Sequence, residues 1–445
     1  MLDLLDKRLS PLGEKLGTQR HLQAIASGMM MTLPLLVIGS VFLLLANPPV
    51  DLNLVDRNTS NILMQFLIHW KEWAMEFQSV IVAPYDMTYG MLGLFTSFGI
   101  SYSLSKHYKM DAATNGIIGS VIFLLVCATT TTVEMGDQSL SAITTKYLGS
   151  DGLIVSILIG LLTVEITHLI NKLHLNIKFP SSVPSMVATF VNSLLPLFVN
   201  IVFFYGINLL IISNTGQVFP EFVNTLLTPA IEIGNNIWVF ALIILFGNLL
   251  WFFGVNGTSV IFPIVFTLGL NGTAANASAM KDGLETMTAM NLQLFRYAMI
   301  GGTGGTLGLI LLMWRSKSTK LKSLARISVI PGICSINEPI TFGVPIVYNP
   351  ILAIPYILSP SICVIIGYFA QVLGLANYGY NADPSFIPFF IQGWISGGDI
   401  RNVLLMFFMI ILCAGLYFPF YKVYEKNVIK EELNKVEEDE DGFLL

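Results

Sequence analysis

Apolar runs of about twenty residues, the length that crosses a bilayer as a helix, recur along this chain and leave little choice of fold class. Candidate spans lie near 28–47, 80–104, 114–133, 152–171, 186–212, 229–253, 257–272, 292–313, 351–373 and 402–421, about ten crossings. Charge is scarce: 11% of the 445 residues are Asp, Glu, Lys or Arg, against about 25% in soluble domains. Mean hydropathy is +0.71. An all-α integral membrane protein is expected, with charged segments confined to its ends and loops.

The net charge of −5 mostly describes the end of the chain, where carboxylates crowd into "KEELNKVEEDEDGFLL". Residues 422–445 are expected to be a disordered, charged cytosolic tail. Residues 1–27 alternate Leu with Lys, Arg and Glu and lack the continuous apolar core of a cleavable signal. They read as an amphipathic helix on the membrane surface or packed beneath the protein. Cys127, Cys334, Cys363 and Cys413 are far apart in sequence, without metal or disulfide spacing, and packing is their expected role.

Basic residues in short loops fix the orientation. Lys7, Arg8, Lys15 and Arg20 place the N-terminus inside, Lys106, Lys109, Lys172 and Lys178 mark later inner loops, and "WRSKSTKLKSLAR" (314–326) carries five basic residues. With 314–326 and the C-terminus both cytosolic, 327–350 must enter and leave on one side. That segment, ending "PGICSINEPITFGVPIVYNP", therefore reads as a re-entrant loop. Non-helical backbone survives at membrane depth only where protein or a water-filled cavity satisfies it. Pro339 biases Glu338 away from helical geometry. A carboxylate buried at such a bend marks a transport or binding site, the alternative being a structural ion pair or helix-end cap.

Two other segments share this broken character. "NLLWFFGVNGTSVIFP" (248–263) interrupts a span at Gly254, Asn256 and Gly257, and "FIPFFIQGWISGGDIR" (386–401) places Trp394 beside a Gly-Gly-Asp turn. Tryptophan near asparagine and carboxylate suits a sugar, whose CH faces stack on a ring while its hydroxyls need donors and acceptors. An interfacial belt anchor is the alternative for any single tryptophan; it suits Trp238 and Trp314 better than Trp251 or Trp394. "GGTGGTLG" (301–308) lacks the Lys-Ser/Thr ending of a phosphate loop, so close helix packing is expected there. Glu165 and His168 read as a local hydrogen bond at helical spacing. The five histidines lack ligand spacing, and neither a metal nor a cofactor is expected.

In order along the chain, "GTQRHLQAIASGMMMTLPLLVIGSVF" (17–42), "PSSVPSMVATFVNSLLP" (180–196), "WFFGVNG" (251–257), "INEPITFGVPIVYNP" (336–350) and "GWISGGDIR" (393–401) resemble the enzyme IIC component of the bacterial sugar phosphotransferase system, in its lactose/cellobiose/chitobiose branch. The resemblance implies a plasma-membrane permease that carries a β-linked disaccharide and presents it for phosphorylation in the cytosol. It implies a homodimer built by the N-terminal half, residues 28–225. Re-entrant hairpins and the sugar site fall to the C-terminal half, residues 226–421. Carried over, Glu338 accepts hydrogen bonds from the sugar hydroxyl that is phosphorylated and serves as general base. Asn337 and Asn256 contact the sugar beside it, and Trp251 and Trp394 line the pocket.

One departure concerns Asn256, where the family typically has histidine. Asparagine donates and accepts hydrogen bonds but takes no proton near neutral pH. The family's phosphate carriers, a phosphocysteine on IIB and a phosphohistidine on IIA, have no counterpart in these residues. Phosphate is accordingly expected from separate cytosolic IIB and IIA proteins; no nucleic-acid partner is implied. Cys334 sits in apolar surroundings unsuited to a reactive thiolate. The alternative function is a facilitator or proton-coupled carrier without phosphorylation, and a sugar sensor ranks last.

Overall fold

The computed structural model describes residues 18–48, 52, 62–135, 138–175, 177, 179–180, 183–284, 287–344, 346, 348–383 and 387–442. Helices dominate, in two compact units. Among the described residues seven helices are long and apolar enough to cross a membrane, and two shorter apolar helices, Ala112–Cys127 and Ile237–Phe252, accompany them.

The first unit comprises Thr18–Ile233 and Ala277–Glu285. In chain order it carries α1 (Arg20–Ala46), α2 (Ile62–Glu76), α3 (Gln78–Thr88), α4 (Leu92–His107) and α5 (Ala112–Cys127). Strands β1 (Thr130–Met135) and β2 (Gln138–Ile143) follow, then α6 (Leu153–Lys172), α7 (Ser185–Thr215) and α8 (Phe219–Gly234). Its hub is α4. A Cβ on Gly28 of α1 would stand 2.5 Å from the Ile100 nitrogen, and one on Gly99 would meet the Gly28 carbonyl oxygen. Ser97 Oγ donates to the Gly119 carbonyl of α5 at 3.0 Å and Ser101 Oγ to the Gly160 carbonyl of α6 at 3.1 Å. Where lipid removes the hydrophobic drive, such small and hydroxyl side chains bring helices together by close packing and hydrogen bonds.

The second unit comprises Gly234–Asn276 and Thr286–Leu445. It carries α9 (Ile237–Phe252), most of α10 (Gly257–Lys281), α11 (Leu292–Ala298), α12 (Thr306–Trp314), α13 (Thr319–Ile333), α14 (Glu338–Gly343), α15 (Ala353–Val372), α16 (Phe389–Gly397) and α17 (Ile400–Gly442). Phe240, Leu294, Tyr297, Tyr356, Val364, Met406 and Tyr417 form part of one buried core. Two buried amide pairs accompany this core: Asn291 Nδ2 donates to Gln371 Oε1 at 2.8 Å, and Asn402 Nδ2 to Gln293 Oε1 at 3.3 Å.

Several expectations are corrected by these elements. The span near 114–133 stops at Cys127, and the β-branched "TTTT" after it enters a hairpin with Thr130 opposite Ile143 and Met135 opposite Gln138; β-branched residues favour extended backbone. The span near 80–104 is divided by a single 3₁₀ turn, Tyr89–Met91. Of the amphipathic segment expected over 1–27, residues 1–17 lie outside the described residues, and Arg20 already opens α1. The tail expected to be disordered continues α17 as helix to Gly442. Glu165 bonds His21 and Tyr108, at 2.7 and 2.5 Å, instead of neighbouring His168. The fold also brings two sequence-distant thiols together: the Cys363 and Cys413 sulfurs are 3.5 Å apart between α15 and α17.

Candidate functional site

Glu338, Asn337, Asn256, Trp251 and Trp394 all belong to the second unit. The first two sit where α13 and α14 fold back on each other. Pro331 has no N–H to continue a helical ladder, and α13 ends two residues later. The chain turns at Cys334–Asn337, with Ser335 in the left-handed region at φ 61° and its N–H donating to the Gly332 carbonyl. The bend therefore precedes Glu338. Contrary to the expectation from Pro339, Glu338 is the first residue of α14, where a proline in the opening turn costs no hydrogen bond.

Opposite this turn the chain is broken again. Between α11 and α12, Gly301, Gly302, Gly304 and Gly305 take positive φ of 78°, 92°, 82° and 66°. Side chains are excluded as well: a Cβ on Gly302 would lie 2.6 Å from Asn337 Cβ, and one on Gly304 would meet the Tyr356 ring. Asn337 Nδ2 donates to both the carbonyl and Oγ1 of Thr303, each at 2.8 Å. Gly304 N–H donates to Asn248 Oδ1 at 3.0 Å, Tyr417 Oη to the Gly304 carbonyl at 2.7 Å, and Tyr356 Oη to Thr303 Oγ1 at 3.3 Å. Side chains of α9, α15, α17 and the α13–α14 turn thus converge on two residues of one glycine loop. Close packing was expected of "GGTGGTLG"; that the loop breaks its helix and fixes Asn337 was not. Runs of glycine inside an apolar span were the available signal.

A Thr303→Val variant leaves the Asn337 amide and the Tyr356 hydroxyl each short of a buried partner, a loss of about 1–3 kcal/mol per unpaired group. A lowered unfolding temperature in detergent is expected. An unchanged one would show that the loop is not held this way.

Asn337 is buried, 7% exposed. Glu338 is exposed, contrary to the expectation of a buried carboxylate, and has no hydrogen-bond or ion-pair partner among the described residues. One turn on, Phe342 is 69% exposed. Residues four apart share a helix face, so α14 presents an acceptor and an aromatic ring side by side. The sequence reading missed Phe342, although its spacing from Glu338 is visible.

The break after α9 is a tight turn. Gly254 takes φ 80°, and a Cβ on Gly257 would meet the Gly247 carbonyl oxygen, so α10 starts against α9. Half-buried Trp251 donates from Nε1 to Thr258 Oγ1 at 2.9 Å. Asn256 is exposed, and its Oδ1 accepts from the Ser259 N–H at 3.1 Å, capping α10. Tyr348 joins this turn to the segment after Glu338: its N–H donates to the Phe252 carbonyl at 3.0 Å and its hydroxyl to that of Phe253 at 3.2 Å. Trp394, 43% exposed on α16, makes no hydrogen bond or ring contact with the other four residues among those described. The structure thus ties Asn337 to the glycine loop and the Trp251 turn to Tyr348, and leaves Trp394 apart.

The comparisons agree with this architecture. Residues 26–360 match the family model described as "Phosphotransferase system, EIIC". The chain is 32% identical to the cellobiose-specific EIIC component of Geobacillus stearothermophilus, over 96% of this chain and 95% of the relative. It is 30% identical to the lichenan permease IIC component of Bacillus subtilis (strain 168), over 96% and 94%. With the lactose-specific EIICB component of Lactococcus lactis subsp. lactis it shares 27% identity, covering 97% of this chain and 74% of the relative. The crystal structure of ChbC, the IIC component of an N,N'-diacetylchitobiose-specific phosphotransferase system, superposes with a TM-score of 0.85 at 30% identity, covering 96% of this chain and 99% of that one. A helical membrane fold broken at two glycine turns and folded back before Glu338, matched over three quarters of its length or more by each of these comparisons, makes this chain a member of the phosphotransferase system EIIC family.

Proposed function

We propose that this protein is the membrane permease subunit of a phosphoenolpyruvate-dependent phosphotransferase system, carrying a β-linked disaccharide and presenting it to a phosphorylated IIB partner in the cytosol. The observation that carries the reading is Glu338: an unpaired, exposed carboxylate at the start of α14, beside an Asn337 fixed by Thr303. Phosphoryl transfer needs chiefly alignment and electrostatic stabilisation, and an acceptor beside the attacking hydroxyl supplies both. Asn337, Trp251 and Trp394 contact the sugar in this reading, the second unit carries it, and the first unit forms the dimer interface. Both termini are cytoplasmic. The relatives named for cellobiose, lichenan and lactose support the disaccharide class. Movement of one half against the other gives alternating access, and the product's new charge disfavours its return.

The test is phosphate transfer in sealed vesicles supplied inside with the general phosphotransferase proteins, IIA and IIB, and outside with labelled disaccharides. Phosphorylated sugar accumulating inside is the expected result. Uptake of unmodified sugar while IIB is demonstrably phosphorylated would establish the second reading, a facilitator.

Asn256 is the observation that favours that second reading, because its side-chain oxygen is occupied in capping α10 where the family typically has a titratable imidazole. An Asn256→His variant tests what the replacement changes. It loses a cap of about 1 kcal/mol and gains a group titrating near pH 6.5. The expected outcome is a phosphorylation rate whose pH profile departs from the parent's between about pH 5.5 and 7.5. Identical pH profiles would separate position 256 from the proton chemistry.

A further inference from the structure

The basic segment 314–326 is built into the fold by the acidic helix that follows the last apolar stretch. Glu425, 6% exposed on α17, accepts from Ser316 Oγ at 2.7 Å and the Lys317 N–H at 3.1 Å. Seven residues on, Glu432 accepts from Ser318 Oγ at 2.9 Å and the Lys320 N–H at 2.8 Å. Toward this segment the carboxylates bind serines and backbone rather than cations; the cation that Glu425 pairs with is Lys422 of its own helix, at 3.0 Å. Arg315, Lys317, Lys320, Lys322 and Arg326 are all exposed, and none has an ion pair among the described residues.

Positive charge on an inner loop is ordinary, but the far part of this patch stands away from the bilayer. The apolar part of α17 ends at Tyr421, and Glu432 lies eleven residues beyond it, about 16 Å at 1.5 Å per residue. The headgroup layer on one face is only about 6 Å deep. Lys320, held at Glu432's level, therefore overhangs the lipid surface, while Lys317, bound through its N–H to Glu425 four residues past Tyr421 (about 6 Å), stands at the edge of the headgroup layer. From there α13 runs its 15 residues back to the turn at Asn337 and Glu338. A rigid helix of about 22 Å thus links the patch to the candidate site.

We propose that these five cations are the docking surface for the phosphorylated form of the phosphate-donating protein, which approaches as a charged protein and carries an added dianionic group. The inference rests on the proposed function and adds where the donor binds. Charges at the rim of an interface set association rate and salt dependence more than turnover. They leave the distance between donor phosphate and sugar to the hairpin itself.

The test combines Lys317→Gln, Lys320→Gln and Lys322→Gln in the full chain, with Lys→Arg at the same positions as control. Phosphorylated IIB of a cellobiose-type system is titrated in the vesicle assay, and its binding is measured directly without sugar. The expected result is a KM for phosphorylated IIB raised about tenfold, weaker direct binding and a shallower salt dependence, with kcat at saturating IIB and sugar binding unchanged. The arginine control keeps the parent KM. Unchanged KM and binding in the glutamine variant, with parent transfer intact, overturns the docking surface alone. If the variant instead responds only to the anionic-lipid content of the vesicles, the patch is a lipid contact and the proposal fails. Absence of transfer by the parent at saturating IIB overturns the functional reading, and the direct binding measurement then decides the surface independently.

Discussion

Replacing Glu338 with glutamine is expected to lower sugar phosphorylation by about 10²–10⁴-fold, the contribution of a positioned general base, which is the role proposed for it. The substitution keeps the side chain's length and one oxygen acceptor, removing only the charge and the capacity to take a proton. Asn337 remains fixed by Thr303 and α14 keeps its proline-opened first turn, so misplacement does not confound the comparison. Because Glu338 has no partner among the described residues, no buried charge is stranded either. Stability should change by less than about 0.5 kcal/mol, as for ordinary surface sites. Two readouts separate chemistry from binding: phosphorylated sugar formed at saturating IIB, and the disaccharide's affinity in detergent by tryptophan fluorescence. A large fall in the first with a modest change in the second assigns Glu338 to the reaction. Full phosphorylation by the glutamine variant would remove it from the chemistry and leave it, at most, a sugar contact.

What the sequence disclosed and what it concealed divide along one physical line. Length and apolarity are local properties, so α1, α6, α7 and α15 were legible from runs of residues, and the broken segments from Gly and Pro. Partners were not. The exposed state of Glu338 depends on which faces of α13 and α14 pack inward, and "INEP" carries no such information. The glycine loop at 301–305 was read correctly as packing but without its partners, since Asn248, Asn337, Tyr356 and Tyr417 lie between 34 and 113 residues away in sequence. A polar composition predicts a disordered tail. Two of its glutamates find serines more than a hundred residues earlier, and a helix follows. For the same reason Cys363 and Cys413 looked isolated, although they meet across α15 and α17.

The largest omission is an ion pair, and it makes the second strong prediction. Arg296 lies inside the apolar run 292–313, a signal open to any reading of the sequence. Its Nε stands 2.8 Å from Asp383 Oδ2, and Nη2 donates to the Asp383 carbonyl at 3.3 Å; the two side chains are 9% and 1% exposed. A buried pair contributes little over an apolar one, but removing one partner strands the other charge at a cost of about 3–5 kcal/mol. Arg296→Gln and Asp383→Asn are therefore each expected to lower the unfolding temperature in detergent by about 10 °C. The double replacement Arg296→Met with Asp383→Leu should recover most of that loss, because neither charge remains to be stranded. Additive losses in the double variant would refute the pairing, and unchanged single variants would mean that water reaches these groups. Recovered stability with failed uptake would carry a further meaning. The pair joins α11, which leads into the glycine loop holding Asn337, to the segment between α15 and α16, which carries Trp394. Its charges would then be retained to couple those two segments, since stability alone is served as well by methionine and leucine.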